Sequence, residues 1–366
     1  MKQLLEWVGL SLASGLGPAG YWHLVNHFGS PGKVLKASSS ARARCPGVRP
    51  VQIEALGDPA GLIGAAEAEL SRLQDTGCKA LSYPEADYPE LLRQTANPPP
   101  VLYLRGRSNL LNTPAIAIVG SRAATSYGRR TTFRLAGDLA EQGITVISGL
   151  AMGIDAEAHA GCLARSGDTI GVLGCGLDVI YPRSNRKLYD QTAEHGLIVS
   201  EYPLGTKPDG FRFPARNRII AGLSLGVVVV EAARKSGSLI TVQFALEGGR
   251  EVFAVPGQID SVKSRGTHWL LQQGASLIIS AEDILEHLPS HSFALKDHTG
   301  RQGNNPGLDE DSSSLLSLIE PYPMRRDDLL QLAGLNSARL SEILLVLELD
   351  GLVELLPGDE VRKIIK

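Results

Sequence analysis

Five cations and two aromatic rings crowd into Phe211–Gly237, inside a chain of net charge −3. Arg212, Arg216, Arg218, Arg234 and Lys235 face Glu231 alone, a local surplus of four positive charges. A surplus of that kind in an acidic protein points to an anionic ligand. Phe211 and Phe213 fall on the same side of an extended backbone, and Pro214 biases Phe213 toward that conformation. Cations that follow phosphates, beside flat rings that stack on bases, suit a single-stranded nucleic acid. The same residues also have plain readings. Each Phe fits a core position, and each Arg fits a structural ion pair, with Glu231 an obvious partner for one of them.

These residues need elements to hold them. A short helix over 215–224 brings Arg216 and Arg218 to its first turn. The β-branched run 226–230 is a buried strand, and its loop opens a helix at Ser238. From Ala115 the chain repeats this alternation. Strands are expected at 115–119, 144–147, 169–173, 197–200, 226–230, 251–255 and 277–279. Helices are expected at 127–142, 155–165, 184–195, 215–224, 238–247 and 266–273. Two earlier pieces, 79–82 and 101–104, bring the sheet to about nine strands. Alternation of this sort predicts an α/β fold with a mostly parallel, doubly wound sheet. Most strands end in small residues: Gly120-Ser121-Arg122, Ser148-Gly149, Gly174-Cys175-Gly176, Ser200-Glu201, Ser236-Gly237-Ser238 and Pro256-Gly257. Ligands of open α/β sheets sit outside those ends, where backbone amides and helix N-termini favour anions. Neither a G-x-G-x-x-G nor a Walker pattern follows a strand, which argues against NAD or P-loop ATP binding.

The flanks are different. Residues 1–75 read as helical. Gly15-Leu16-Gly17-Pro18 joins two helices in a helix-hairpin-helix pattern whose turn amides can meet a phosphate. His23 and His27 share a helix face, but no third ligand stands near them in the sequence. Residues 289–308 read as a polar linker. Beyond it, helices at 309–319, 325–332 and 337–349 and a hairpin turning at Pro357-Gly358 outline a winged helix. Its third helix is net negative, which favours packing or protein contact over a DNA groove. Glu6 breaks the apolar run at the start of the chain, so a signal peptide is not expected. No apolar run reaches the length of a membrane span. Four scattered cysteines read as reduced thiols, and the expected location is cytoplasmic.

Seven ordered motifs carry a resemblance: IVGSR at 118–122, SGLAMGID at 148–155, GVLGCGLDVIYPRSN at 171–185, SEYPLGTKP at 200–208, FPARNRIIAGLS at 213–224, VVEAARKSGSLIT at 229–241 and VFAVPG at 252–257. The chain resembles the DNA-processing protein A family (DprA, also called Smf). The resemblance implies an extended Rossmann-like domain over 76–288. It also implies a sterile-alpha-motif-like helical domain before it and a winged-helix domain over 309–366. It implies a homodimer that binds single-stranded DNA in natural transformation, protects incoming strands and helps load the RecA recombinase, with no cofactor and no catalysis. One departure is His268, where many relatives are expected to carry Asn.

The expected DNA-binding residues are Gly120, Ser121, Arg122, Ser148, Gly149, Gly174, Gly176, Phe211, Phe213, Arg216, Asn217, Arg218, Lys235, Ser236, Gly237 and Ser238. The alternative is an enzyme binding a nucleotide or sugar phosphate on the same sheet. Asp155, Asp178, Glu201 and Glu231 are its conceivable metal ligands. They show no paired spacing, and they would sit among arginines.

Overall fold

The apolar runs that begin at Ala115 form the parallel centre of a nine-stranded sheet in the computed structural model, which describes residues 2–288, 309–319 and 322–364. The strands are β1 (Lys79–Ser82), β2 (Val101–Gly106), β3 (Ala115–Val119), β4 (Thr145–Ser148), β5 (Thr169–Leu173), β6 (Leu197–Ser200), β7 (Gly226–Val229), β8 (Glu251–Ala254) and β9 (Ser276–Leu277). Their spatial order is β1-β2-β6-β5-β4-β3-β7-β8-β9. β2 runs antiparallel to both neighbours, and the remaining pairs are parallel. Every residue of β3, β4 and β5 is buried, as expected for parallel strands covered by helices on both faces.

The chain builds this sheet outward from β3 in two directions. It steps through β4, β5 and β6 to one side, then returns to lay β7, β8 and β9 on the other. Helices after β3 and β7 therefore diverge, and a crevice opens at the carboxyl ends of this pair. The register sets Val119 beside Val229, so both strands end at the same level.

The N-terminal helices are built into this unit. Trp7, Leu10, Tyr21 and Leu24 share one apolar cluster with Val101, Tyr103, Leu173 and Ile198 of the sheet. The helix Gly17–Phe28 ends at Gly29, whose φ of 87° supplies the left-handed stop expected of glycine. At the hairpin before it, the Gln52 amide donates to the carbonyls of Gly15 and Leu16 at 3.2 and 2.8 Å.

The described residues fall into two compact units, and 309–364 form the second. It contains helices Glu310–Leu318, Arg326–Ala333 and Ser337–Leu349, with strands β10 (Met324–Arg325), β11 (Val353–Leu356) and β12 (Glu360–Lys363) in the order β10-β12-β11. Its core is Leu315, Leu329, Leu340, Ile343, Leu344, Leu347, Val353 and Val361. This is a winged helix. β10 was not anticipated, because two residues carry no alternation to read. The linker expected at 289–308 lies outside the described residues. Among those described, no single helix is long and apolar enough to cross a membrane.

One local expectation is corrected. Phe211–Pro214 is not an extended entry: the helix runs from Arg212 to Gly222, and Phe211 already has helical φ and ψ. The first four amides of a helix lack an intrahelical acceptor, so Pro214 at the third position loses no hydrogen bond.

Candidate functional site

A groove of about 880 Å³ occupies the switch point. One wall is the turn after β3, Gly120-Ser121-Arg122. The other is Ser236-Gly237-Ser238, after β7. The helix carrying Phe213, Arg216 and Asn217 lies alongside, and Asp155, Tyr181, Asp209 and Lys263 also line it. A smaller pocket shares Arg122, Tyr181, Phe213 and Arg216 and adds Gly149.

The turn after β3 lies close against its neighbours. Ser121 N–H donates to the Glu231 carbonyl at 2.8 Å, which locks the end of β3 to the end of β7. A Cβ on Gly120 would stand 2.7 Å from Ile154 Cγ1 and 2.9 Å from that same carbonyl. Only glycine lets the two strand ends approach this closely. The Glu231 carboxylate points elsewhere. It accepts from Thr125 N–H at 2.9 Å and from the Thr125 hydroxyl, at the N-terminus of helix Ser126–Glu141. Negative charge is favourable there. Glu231 thus braces Thr125, the residue that caps this helix, and the expected arginine partnership does not form.

Arg218 pairs instead with Glu201, both largely buried. Burial raises the Glu201 pKa, and the Arg218 charge pulls it back. Arg218 lies outside the groove lining, so the three-arginine convergence reduces to Arg122 and Arg216.

Arg216 belongs to the floor. It is 4 % exposed, and its Nη1 donates to the carbonyls of Gly149, at 2.7 Å, and Val172. Gly149 is small for this reason: a Cβ there would meet the guanidinium carbon at 2.5 Å. Asp155, 8 % exposed, lies within electrostatic reach of Arg216. Burial raises the Asp155 pKa, opposed first by Arg216 and then by a backbone hydrogen bond at Ala151. Burial lowers the Arg216 pKa, and Asp155 opposes that. Both groups are buried, leaving Arg122 and Lys263 as the outward cations of the lining. The Lys263 ammonium donates to the Ala123 carbonyl, which folds it over the turn after β3.

The aromatic element of the groove is a pair. Phe213 and Tyr181 stack at 5.3 Å with planes 29° apart, and the Arg122 guanidinium lies 5.3 Å above the Phe213 ring. A Cβ on Gly174 would stand 3.0 Å from Phe213 Cδ1, so that glycine makes room for the ring. Tyr181 is 45 % exposed, so one ring of the stack remains open to solvent. Phe211, at 65 % exposed, is outside the lining and has Arg212 against it at 5.2 Å.

The other expected residues divide. Asn217 Nδ2 donates to Gly237 O at 3.3 Å, and Ser236 and Ser238 share a 2.8 Å hydroxyl contact at the start of helix Ser238–Glu247. Ser148 is buried, with its hydroxyl on the Ile118 carbonyl at 2.7 Å, so it is part of the sheet. Gly176 N–H is held by Thr206 O at 2.9 Å, and Lys235 is exposed beyond the lining. The four conceivable metal ligands scatter to separate partners: Asp155 to the backbone at Ala151 and Gly149, Asp178 to Gly205 N–H at 2.7 Å, Glu201 to Arg218, Glu231 to Thr125. Among the described residues no three His, Cys, Asp or Glu side chains gather around a point that could hold a metal ion. His268 sets its Nε2 3.0 Å from the Gly257 carbonyl, away from this lining.

Sequence reasoning did not select Tyr181 or Lys263. Tyr181 sits in a long loop without periodicity, and its only signal was membership of the GVLGCGLDVIYPRSN stretch. Lys263 follows β8 in a loop whose path no local pattern gives.

Comparison with known proteins bears on this geometry. Residues 79–289 match the DNA recombination-mediator protein A family, and residues 301–359 match the DprA winged helix domain. Protein Smf of Synechocystis is 36 % identical over 385 residues, covering 96 % of each chain. The crystal structure of DNA processing protein A from Streptococcus pneumoniae superimposes with a TM-score of 0.69 at 36 % identity, over 78 % of this chain and 98 % of that one. A Helicobacter pylori protein, studied for its single-stranded DNA binding mode, gives 0.52 at 34 % identity, over 57 % and 94 %.

Proposed function

Because this chain belongs to the DNA recombination-mediator protein A family, we propose that it binds single-stranded DNA in the switch-point groove and acts as a mediator of recombination. The observation that carries the reading is the layered arrangement of Arg122 over Phe213, with Phe213 on Tyr181. A cation above a ring pair, at the mouth of a crevice flanked by helix N-termini, offers phosphate and base recognition together. Arg122 and Lys263 take phosphates, and the exposed face of Tyr181 takes a base. Arg216, held by the Gly149 and Val172 carbonyls, forms the floor. The Gly237 amide adds a neutral donor. The described site offers positioned donors and stacking surfaces, which suits binding without chemistry on the strand.

The finer reading follows the same family. The protein is proposed to act as a homodimer, to protect incoming strands and to help deliver them to the RecA recombinase. The test is a titration of the full-length protein with single- and double-stranded oligonucleotides of matched length over a range of salt. Tighter binding of single strands, with log K falling by about 0.7 per phosphate per log salt unit, is expected. Equal affinity for duplex, or hydrolysis of a nucleotide by the purified protein, would move the reading to the alternative enzyme.

A further inference from the structure

The last helix of the winged-helix unit carries leucines where a reader of nucleic acid carries hydrogen-bond donors. Leu340, Ile343, Leu344 and Leu347 face the core. Leu345, Val346 and Leu349 are 56, 43 and 79 % exposed. With Glu342 these three fall at i, i+3, i+4 and i+7, a single stripe on the side opposite the core. A helix seated in a DNA groove reaches base edges and phosphates with polar and basic side chains. This stripe presents hydrocarbon headed by a carboxylate.

The surroundings specify what can cover it. Over the described residues of this unit there are eleven carboxylates and five basic side chains, an excess of six negative charges. All five basic groups are engaged within the unit. Arg325 faces Asp327, Arg326 faces Asp359, and Arg362 faces Glu354. Arg339 is shared by Asp309, Asp311 and Glu342. Lys363 donates to the Leu316 carbonyl at 3.0 Å. A second copy of this face would bring like charges together, which is unfavourable.

We propose that this stripe docks an amphipathic helix of another protein, one with an apolar face bordered by lysine or arginine. Leucines at helical spacing fill the seam, and the acidic border selects the partner by charge. The proposal stands apart from the DNA groove, since it uses residues of the other unit only.

The experiment titrates full-length protein against a labelled synthetic helix, followed by fluorescence anisotropy. The probe carries leucines at i, i+3, i+4 and i+7 with flanking lysines. A control peptide of identical composition spreads its leucines around the helix. Binding of the patterned peptide at least about tenfold tighter than the control is expected. The Leu345→Ser/Leu349→Ser variant loses that preference, and a thermal melt unlike wild type's is not expected for two exposed positions. Equal binding of both peptides, binding of neither, or retained preference in the variant overturns the proposal. Two further measurements address other occupants. A concentration-dependent dimer abolished by the same variant assigns the face to a second copy. Slow maleimide labelling of Leu345→Cys in the free protein assigns it to another part of this chain. Either result also overturns the proposal.

Discussion

At the scale of single residues, the groove separates two arginines that look alike in the sequence. Arg122 is exposed and Arg216 is buried, so their replacements act on different quantities. Arg122→Ala is expected to weaken binding to oligonucleotides of every sequence and to flatten the salt slope by about 0.7. Tyr181→Ala is expected to cost about 1–3 kcal/mol of binding while the slope stays as it was. Salt titrations of both variants against wild type decide this, and matching slopes for Arg122→Ala and wild type would remove Arg122 from the phosphate path. Arg216→Ala instead leaves the Gly149 and Val172 carbonyls without their buried donor, and chemical denaturation is expected to show about 1–3 kcal/mol of lost stability per carbonyl. A variant as stable as wild type would show that Arg216 is not holding the floor. The sequence displayed the charge of Arg216 and its place in a first turn. It could not display burial, which depends on β5 and the turn after β4 coming within reach of the guanidinium. In the same way Glu231 advertised a partner, and the partner proved to be Thr125, more than a hundred positions earlier in the chain.

Elements were more legible, because strand burial on two faces and helix periodicity leave local marks. The parallel strands, the two-residue β9 among them, emerged within a residue or two of their expected ends, whereas the two-residue β10 carried no pattern to read. Phe211–Pro214 was misread because the pre-proline bias is local and the start of a helix overrides it. One element has a consequence for pH. The helix Ile154–Ala164 places His159 fully inside, with Nδ1 2.7 Å from the Thr169 hydroxyl. That hydroxyl donates to Val146 O, so it accepts from His159 Nδ1–H, and Nε2 is left without a partner. Burial, with Arg216 nearby, drives the His159 pKa down to about 3. The unfolded chain takes up a proton near pH 6.5, and the folded one does not until near pH 3. Stability from this group is therefore full above pH 6.5 and declines as the pH falls through that window, by about 1.4 kcal/mol per pH unit. In His159→Gln the slope of unfolding free energy against pH, between 6.5 and 4, is expected to be shallower by one proton. An unchanged slope would mean that another group carries the acid sensitivity.

For the whole molecule, the division of labour between the two units is testable by removal. A chain ending at Leu288 is expected to hold single strands within about tenfold of the full-length affinity, roughly 1.4 kcal/mol. A larger loss would place DNA contacts in the winged helix. Assembly is a separate matter. Leu277 and Ile279, 54 % and 65 % exposed, lie at and just beyond β9. Ile279→Glu is expected to sediment as a monomer at micromolar concentration while keeping its DNA contacts. A wild type that is already monomeric there would refute the dimer. The strand order bears on how far such assembly can go. Helices Lys2–Ser11 and Pro59–Asp75 pack against β1 at one margin of the sheet, while β9 ends the other. Under the proposed dimer, a sheet that joined copies only through its β9 margin would have a valence of one. Like a monomer with a single reactive end in step-growth chemistry, it would couple once, and the coupled pair would offer no end for a third.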